Sequence, residues 1–349
     1  MNLSTFNASL AAALLAAAIT PAGAAPASEN GALIYWQAWT IMDRTDNPAF
    51  DVDLQALGEP GWEPSEEVAA ALQDMQSGFD LLEEAAAKPW CDFGVQYEKG
   101  PAALLPHLGI ARKFCRAMLE DARIRLDAGD TAGFTGRMSA ALGMSEDLAE
   151  ESTVISALVS TAMFSAARPL LDYALDSGRL TDADRARLAA CLSNFDSADP
   201  FFIRGSVGAE GEVMGRWMRD EVFDPQVLAE IIAARAAGQL DQMSPRATEV
   251  YEMVAGLFDV EDIAILDVVT TEGFDPRREV ALYRRFMSEA SATFADRDGG
   301  KQLDVLAERL VAGEYGTLAK LMVPAMGRLH QNYWKSRDMF DAVQERLAE

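Results

Sequence analysis

Histidine is nearly absent from this sequence: two occur in 349 residues, His107 in LLPHLGI and His330 in GRLHQNY. That scarcity closes most routes to histidine-dependent chemistry. There is no HExxH helix for zinc and no ExxH pair of the di-metal bundle type. A Ser-His-Asp or Cys-His arrangement would have to use one of the two, and no GxSxG elbow accompanies either. The sequence offers neither histidine a partner, so both read as packing or helix-end residues. Phosphate loops of the GxGxxG or GxxxxGK kind are missing too. No cofactor and no metal is expected.

Cysteine is also scarce. Cys91, Cys115 and Cys191 lie too far apart for a zinc ribbon or a redox CxxC pair. Cys115 and Cys191 fall on apolar helical stripes, FCRAML and LAACLSNF, where a thiol behaves as a small hydrophobe, so buried thiols are preferred to a disulfide. Basic residues are short as well, 30 Lys and Arg against 55 Asp and Glu, for a net charge of −25. From Pro276 onward 12 basic residues face 11 acidic ones, so the whole acidic excess lies earlier. Such a field repels nucleic acid and anionic lipid, which need clustered Lys and Arg, and the acidity is read as a solubility device.

What is present begins with a leader. Leu10 to Ile19 is an uncharged Ala/Leu run, Thr20-Pro21 ends it, and Ala22-Gly23-Ala24 supplies small residues for cleavage after Ala24. Met1 to Ser9 contains no Lys or Arg, so only the terminal amine supplies the usual positive charge. The run is too short to span a bilayer and no Cys follows it for acylation. Residues 1–24 therefore read as a signal peptide. The expected product is secreted or periplasmic, with no integral membrane segment after cleavage.

Residues 25–349 read as a single helical domain, with 197–215 as the candidate seam. Val68, Leu72, Met75, Phe79 and Leu82 recur at helical spacing, and Ser65-Glu66-Glu67 places a capping hydroxyl and two carboxylates at a helix start. No segment alternates in the manner of a strand. The periodicity predicts helices near 30–43, 65–87, 102–128, 131–149, 152–177, 181–194, 200–221, 225–237, 245–257, 261–270, 276–295, 302–312 and 315–347. Gly129, Gly178, Gly238 and Gly313 mark corners where one helix stops and the next starts. The first corner resembles a tetratricopeptide turn, but the glycine intervals follow no fixed period. The expected fold is all-α, an irregular array of packed αα-hairpins with TPR-like turns and no strict repeat. Two loops punctuate it: Asp43–Pro64, packed by Phe50, Leu54, Leu57 and Trp62, and the aromatic stretch PWCDFGVQYEKG (89–100), after which Pro101 is placed in the first turn of a helix.

The segments ENGALIYWQAW, CDFGVQYEKGPAALLPHLGIARKF and ALDSGRLTDADRARLAACL together resemble a group of exported, mostly helical proteins that recurs in planctomycete and related bacterial genomes. The resemblance runs from about Asn30 to about Arg219. It implies fold and compartment, and it transfers no catalytic residue, because the group carries no assigned activity.

Several local patterns invite chemistry. Asp296-Arg297-Asp298-Gly299-Gly300 begins like a calcium loop, but Gly300, Lys301 and Ala307 occupy positions that need other residues, so it reads as a polar turn. Glu151-Ser152 resembles the Glu-Ser of lytic transglycosylases without their Gly-Leu-Met-Gln motif, and Ser152 reads as a helix N-cap. Tyr35, Trp36 and Trp39 read as a core anchor. FFIRGSVGAEGEVMGRWMR (201–219) carries glycines at 205, 208, 211 and 215. Glycine costs a helix about 1 kcal/mol relative to Ala, so something approaches closely. A packed helix is the preferred explanation. The alternative is a ligand groove built from Arg204, Glu210, Glu212, Arg216 and Trp217.

By exclusion, the sequence points to a helical interaction or scaffold protein with a protein or peptide partner, and leans away from an enzyme. One rival is a glycan-processing enzyme with a carboxylate pair among Asp92, Glu98, Glu150, Glu151, Glu210 and Glu212. Another is a small-ligand or lipid carrier, which requires a large apolar cavity.

Overall fold

A computed structural model describes residues 29–42, 47–257, 274–323 and 326–349. The leader expected at 1–24 and the helix expected over 261–270 lie outside them. Among the described residues every regular element is a helix, so the fold is all-α. In chain order these are α1 Gly31–Met42, α2 Glu66–Asp74, α3 Gln76–Ala86, α4 Pro106–Asp127, α5 Thr131–Ala149, α6 Val154–Asp176 and α7 Asp182–Leu192. Then follow α8 Ile203–Trp217, α9 Pro225–Ala237, α10 Pro245–Leu257, α11 Pro276–Thr293, α12 Gly300–Val311, α13 Gly316–Met322 and α14 Met326–Ala348.

The corners form as the sequence requires. Gly129, Gly178, Gly238 and Gly313 all take left-handed backbone, with φ between 64° and 88°. Asp130 accepts the Gly133 N–H at the start of α5, and Thr181 with Asp184 forms a capping box on α7. Ser65 accepts the Val68 N–H at 3.2 Å as expected.

Four boundaries differ. The helix expected over 65–87 is two helices, because the Met75 N–H turns back to the Leu72 carbonyl three residues away. Just beyond, a Cβ on Gly78 would fall 2.1 Å from Met42 Cγ, so glycine there lets the end of α1 seat against α3. The helix expected over 315–347 divides at Val323, which is extended (ψ 122°) and precedes Pro324. The helix expected from 102 starts at Pro106, because Gly100 takes φ +54° and leaves Pro101 in a short 3-10 turn, Tyr97–Ala102. The N-cap of α6 is Thr153, which accepts the Ser156 N–H at 3.0 Å, and not Ser152.

Helices α4, α5 and α6 pack side by side in the middle, with α3 and α7 against α5 and α1 against α3. Helix α8 lies along α11, and α14 returns across α6 and α7. Arg346, near the end of α14, reaches both Asp172 and Asp176 of α6. One hydrophobic core runs from Tyr35 to Leu347, and Phe201, Ile203 and Val207 belong to it. Helix α6 is long and apolar enough to cross a bilayer by composition, and here it is packed on α4, α5, α8 and α14 as a core helix. Tyr35 and Trp39 are buried and Leu57 is fully enclosed, while Phe50, Leu54 and Trp62 pack half-buried beside it. The three cysteines are unpaired, and Cys115 is buried. At 296–300 the chain makes a polar turn in which Asp296 accepts the Asp298 N–H and His330 contacts the Asp296 carbonyl at 3.0 Å.

One buried charge in α4 invites a test. Glu120 is buried, its Oε2 meets no partner, and burial pushes its carboxyl up to about 8. A carboxyl raised in the folded state is held protonated there, so its contribution is full at low pH and is lost as pH climbs from about 4 to about 8. Glu120→Gln removes that loss. Urea denaturation is expected to find the variant equal to the wild type near pH 4 and more stable at pH 8.

Candidate functional site

At 100° per residue, the five residues proposed for a groove on α8 cannot share a face. Glu210 and Trp217 point one way, Glu212 and Arg216 another. Glu210 accepts the Val154 N–H at 3.0 Å and so caps α6, and burial raises its carboxyl. Trp217 is buried over Gly100, where a Cβ would fall 2.4 Å from the indole. Glu212 pairs with Arg284 of α11 at 3.2 Å, and Arg216 is exposed. Arg204 is half-buried, with its charge acting on Asp199. The glycines explain the helix: a Cβ on Gly211 would sit 2.6 Å from Met287 Cβ, and one on Gly215 2.5 Å from Arg284 Nε. This is the face that packs on α11. Gly211→Ala is expected to lower stability by about 1–3 kcal/mol despite the better helix propensity, since two backbones must part. Thermal unfolding of the variant checks it.

The end of α5 gathers four carboxyl groups, of which Asp147 and Glu151 are buried. Glu146, Asp147, Glu150 and Glu151 fall within six residues at a helix C-terminus, where the dipole disfavours carboxylates. Asp147 is buried and accepts the Tyr35 hydroxyl at 2.6 Å. Burial, more than any neighbour, pushes its carboxyl up to about 8, and burial with Glu150 pushes Glu146 up to about 7. Glu151 is buried with its Oε1 2.7 Å from His107 Nε2, and its Oε2 accepts the Ser156 hydroxyl. Thus His107 has a carboxylate partner 44 residues away that no spacing rule discloses. Ser156 and His107 contact opposite oxygens of Glu151, so the histidine does not reach the serine and the three do not form a hydrolytic triad. Phe93, from the aromatic loop, stacks on His107 at 4.4 Å.

Two concave surfaces flank the bundle. A cleft of about 440 Å³ is lined by Glu146 and Glu150 of α5, by Asp196 and Asp199 before α8, and by Phe195 and Phe202. No Lys or Arg lines it. Asp199 accepts the N–H groups of Arg204 and Gly205, which starts α8, and burial raises its carboxyl. At the rim Phe202 holds φ 53°, the one non-glycine residue in that region among the described residues. Of the carboxylates considered from sequence, only Glu150 enters this cleft. Asp92 and Glu98 are exposed on the aromatic loop. Glu146, Asp196 and Asp199 were missed, although the i,i+4 pair Glu146/Glu150 was there to be read.

The second surface is an open groove of about 850 Å³. Its rim is the loop Gln55–Pro60, its floor is Pro169 and Tyr173 of α6, and Lys335 and Met339 of α14 close the far side. Arg123 fixes the rim by donating to the Leu57 and Glu59 carbonyls. Glu59 and Lys335 face the groove without an ion-pair partner among the described residues, whereas Asp172 and Asp176 are held by Arg346. No group of three or more His, Cys, Asp or Glu among the described residues is arranged to hold a metal ion. No protein family, curated protein or solved structure matches this chain, so the functional reading rests on these two surfaces and the groups that line them.

Proposed function

We propose that this chain is a secreted or periplasmic helical interaction protein that docks a segment of a protein or peptide partner in the groove between the 55–60 loop, α6 and α14. The observation that carries the reading is the groove itself: about 850 Å³, open, and walled by a loop that buried contacts hold in place. A floor of Pro169 and Tyr173 with Met339 on the far wall, and with Glu59 and Lys335 at its edges, suits an extended or helical segment, which needs apolar anchors and a few oriented polar contacts. A carrier would need an enclosed apolar cavity, whereas these two concave surfaces are open and polar groups line each of them. Export rests on the leader read at residues 1–24, and the resemblance to exported helical proteins agrees with it.

The test is a photo-crosslinking amino acid placed at Met339 in the groove, and separately at exposed Val311 on α12, in cells of the source organism. A discrete adduct from position 339 and none from 311 supports the reading. Equal labelling at both positions, or none at either, removes it.

A second reading attaches to the acidic cleft. Glu146, raised to about 7, can hold a proton for a leaving oxygen while Glu150 or Asp199 accepts one from water, which is the division of labour in glycoside hydrolysis. Turnover of soluble peptidoglycan fragments that Glu146→Gln abolishes while the circular dichroism spectrum is kept would favour it. No turnover by the wild type between pH 5 and 8 would dismiss it.

A further inference from the structure

We propose that the last turn and a half of α5 is a proton-operated latch, which fastens α1 and the 90–95 loop to the bundle and loosens them when its inward-facing carboxyl groups ionise. The argument begins with connectivity. Asn30 ties α1 to the loop through three hydrogen bonds: its side chain accepts the N–H groups of Ala32 and Asp92 and donates to the Asp92 carbonyl at 2.9 Å. The rings repeat the tie, with Phe93 stacked on Tyr35 at 6.0 Å and on Trp39 at 5.8 Å. Helix α1 and the loop therefore move as a unit. That unit is joined to the end of α5 by the Tyr35–Asp147 hydrogen bond, and Phe93 covers the adjoining His107–Glu151 pair.

The charge around this joint is one-sided. The titratable groups acting on Asp147 are Tyr35 from α1, Cys91 from the loop, Glu146 and Glu150 from α5 itself, and Cys191 from α7. Glu151 next to them faces His107 of α4, and acts on Cys91 and on Tyr97, whose hydroxyl approaches the Ser152 N–H at 3.4 Å. No Lys or Arg is in that set, and His107 is its single group able to carry positive charge. Glu146 and Glu150 are a like-charged pair at i,i+4, which repel when both members are ionised. A protonated Asp147 still accepts from Tyr35 and adds no charge. An ionised Asp147 accepts from Tyr35 more strongly, but it is then a buried anion that no Lys or Arg of the set balances, beneath the aromatic stack and at the negative end of a helix. The raised carboxyls of Asp147 and Glu146 agree with a latch closed below about pH 7 and released above about pH 8.

Hydrogen–deuterium exchange of the full chain at pH 6 and pH 9, corrected for the intrinsic rate, tests the proposal. Peptides covering 31–42 and 90–97 are expected to lose protection at least tenfold at pH 9, while a peptide from 276–293 keeps its own. Asp147→Asn is expected to abolish that difference. Uniform loss across all three peptides, or the same response in Asp147→Asn, would overturn it. Should that variant not fold, near-ultraviolet circular dichroism of the wild type decides: a transition centred between about pH 7 and 8.5 supports the latch, and its absence, or a midpoint near 10, rejects it.

Discussion

Replacing Arg137 by alanine is expected to cost the fold about 3–5 kcal/mol, the scale for removing one partner from a buried ion network. Arg137 lies on α5 with 4% of its surface exposed, yet it answers to two other helices. Its Nε donates to Asp121 of α4 at 2.9 Å. Its two Nη atoms reach Glu83, Gln76 and Asp80 along α3. Asp121 is itself buried and accepts from Arg125 and Gln76, so the alanine variant strands it with part of its shell. Lysine is expected to recover little, because a point charge cannot serve four acceptors held in a plane by a guanidinium fork. The double change Arg137→Met with Asp121→Leu should recover much of the loss, since replacing a whole buried pair by apolar volume is far milder than breaking it. Urea denaturation of the three variants checks the order. An alanine variant within about 0.5 kcal/mol of the wild type would mean that the network is ornamental.

This network also marks where sequence reading stops. Helix positions, corner glycines and caps are local properties, decided by residues within a turn or two, and so Gly129, Gly178, Gly238, Gly313 and Ser65 could be placed from spacing alone. One of the breaks that were missed has its cause elsewhere in the chain. At Met75 the helix stops where Gly78 must admit Met42, a residue 36 positions earlier. The end of α13 needed only the rule that a residue before proline leaves helical backbone, and Pro324 was available to apply it. For the candidate sites the balance is less favourable. The glycine face of α8 was rightly read as a packed surface, and helical geometry alone separates the five residues gathered there as a groove. The acidic cleft combines two helix ends about 50 residues apart, of which Glu150 alone had been singled out. The groove on α6 needs a loop, a helix and the far C-terminus together. His107 looked partnerless because Glu151 reaches it across the bundle.

Arg123→Ala should be as costly as Arg137→Ala, about 3–5 kcal/mol, but its consequence should be local to the groove. Arg123 is 1% exposed on α4 and its guanidinium is fully engaged. Nε donates to Asp127 at 2.7 Å, and the Nη atoms donate to the Leu57 and Glu59 carbonyls of the loop. Its Cζ lies 3.7 Å from the centre of the Tyr173 ring, with the Trp62 ring centre at 5.7 Å on the loop side. One side chain therefore pins the rim of the groove to its floor. The loop has few other attachments of that kind, chiefly Leu57 in the core and Gly58 pressed on α6, where a Cβ would fall 2.9 Å from the Pro169 carbonyl. Arg123→Lys keeps the charge while losing the second carbonyl and the flat contact with Tyr173, and it is expected to retain the body of the fold. Limited proteolysis should then cut the lysine variant between residues 53 and 62 at least tenfold faster than the wild type, with exchange protection of α5 unchanged. If the docking reading is right, the adduct formed from position 339 disappears in the same variant. Loss of the adduct with the loop still protected would place Arg123 in contact with the partner itself, and an adduct that survives a freed loop would confine docking to α6 and α14.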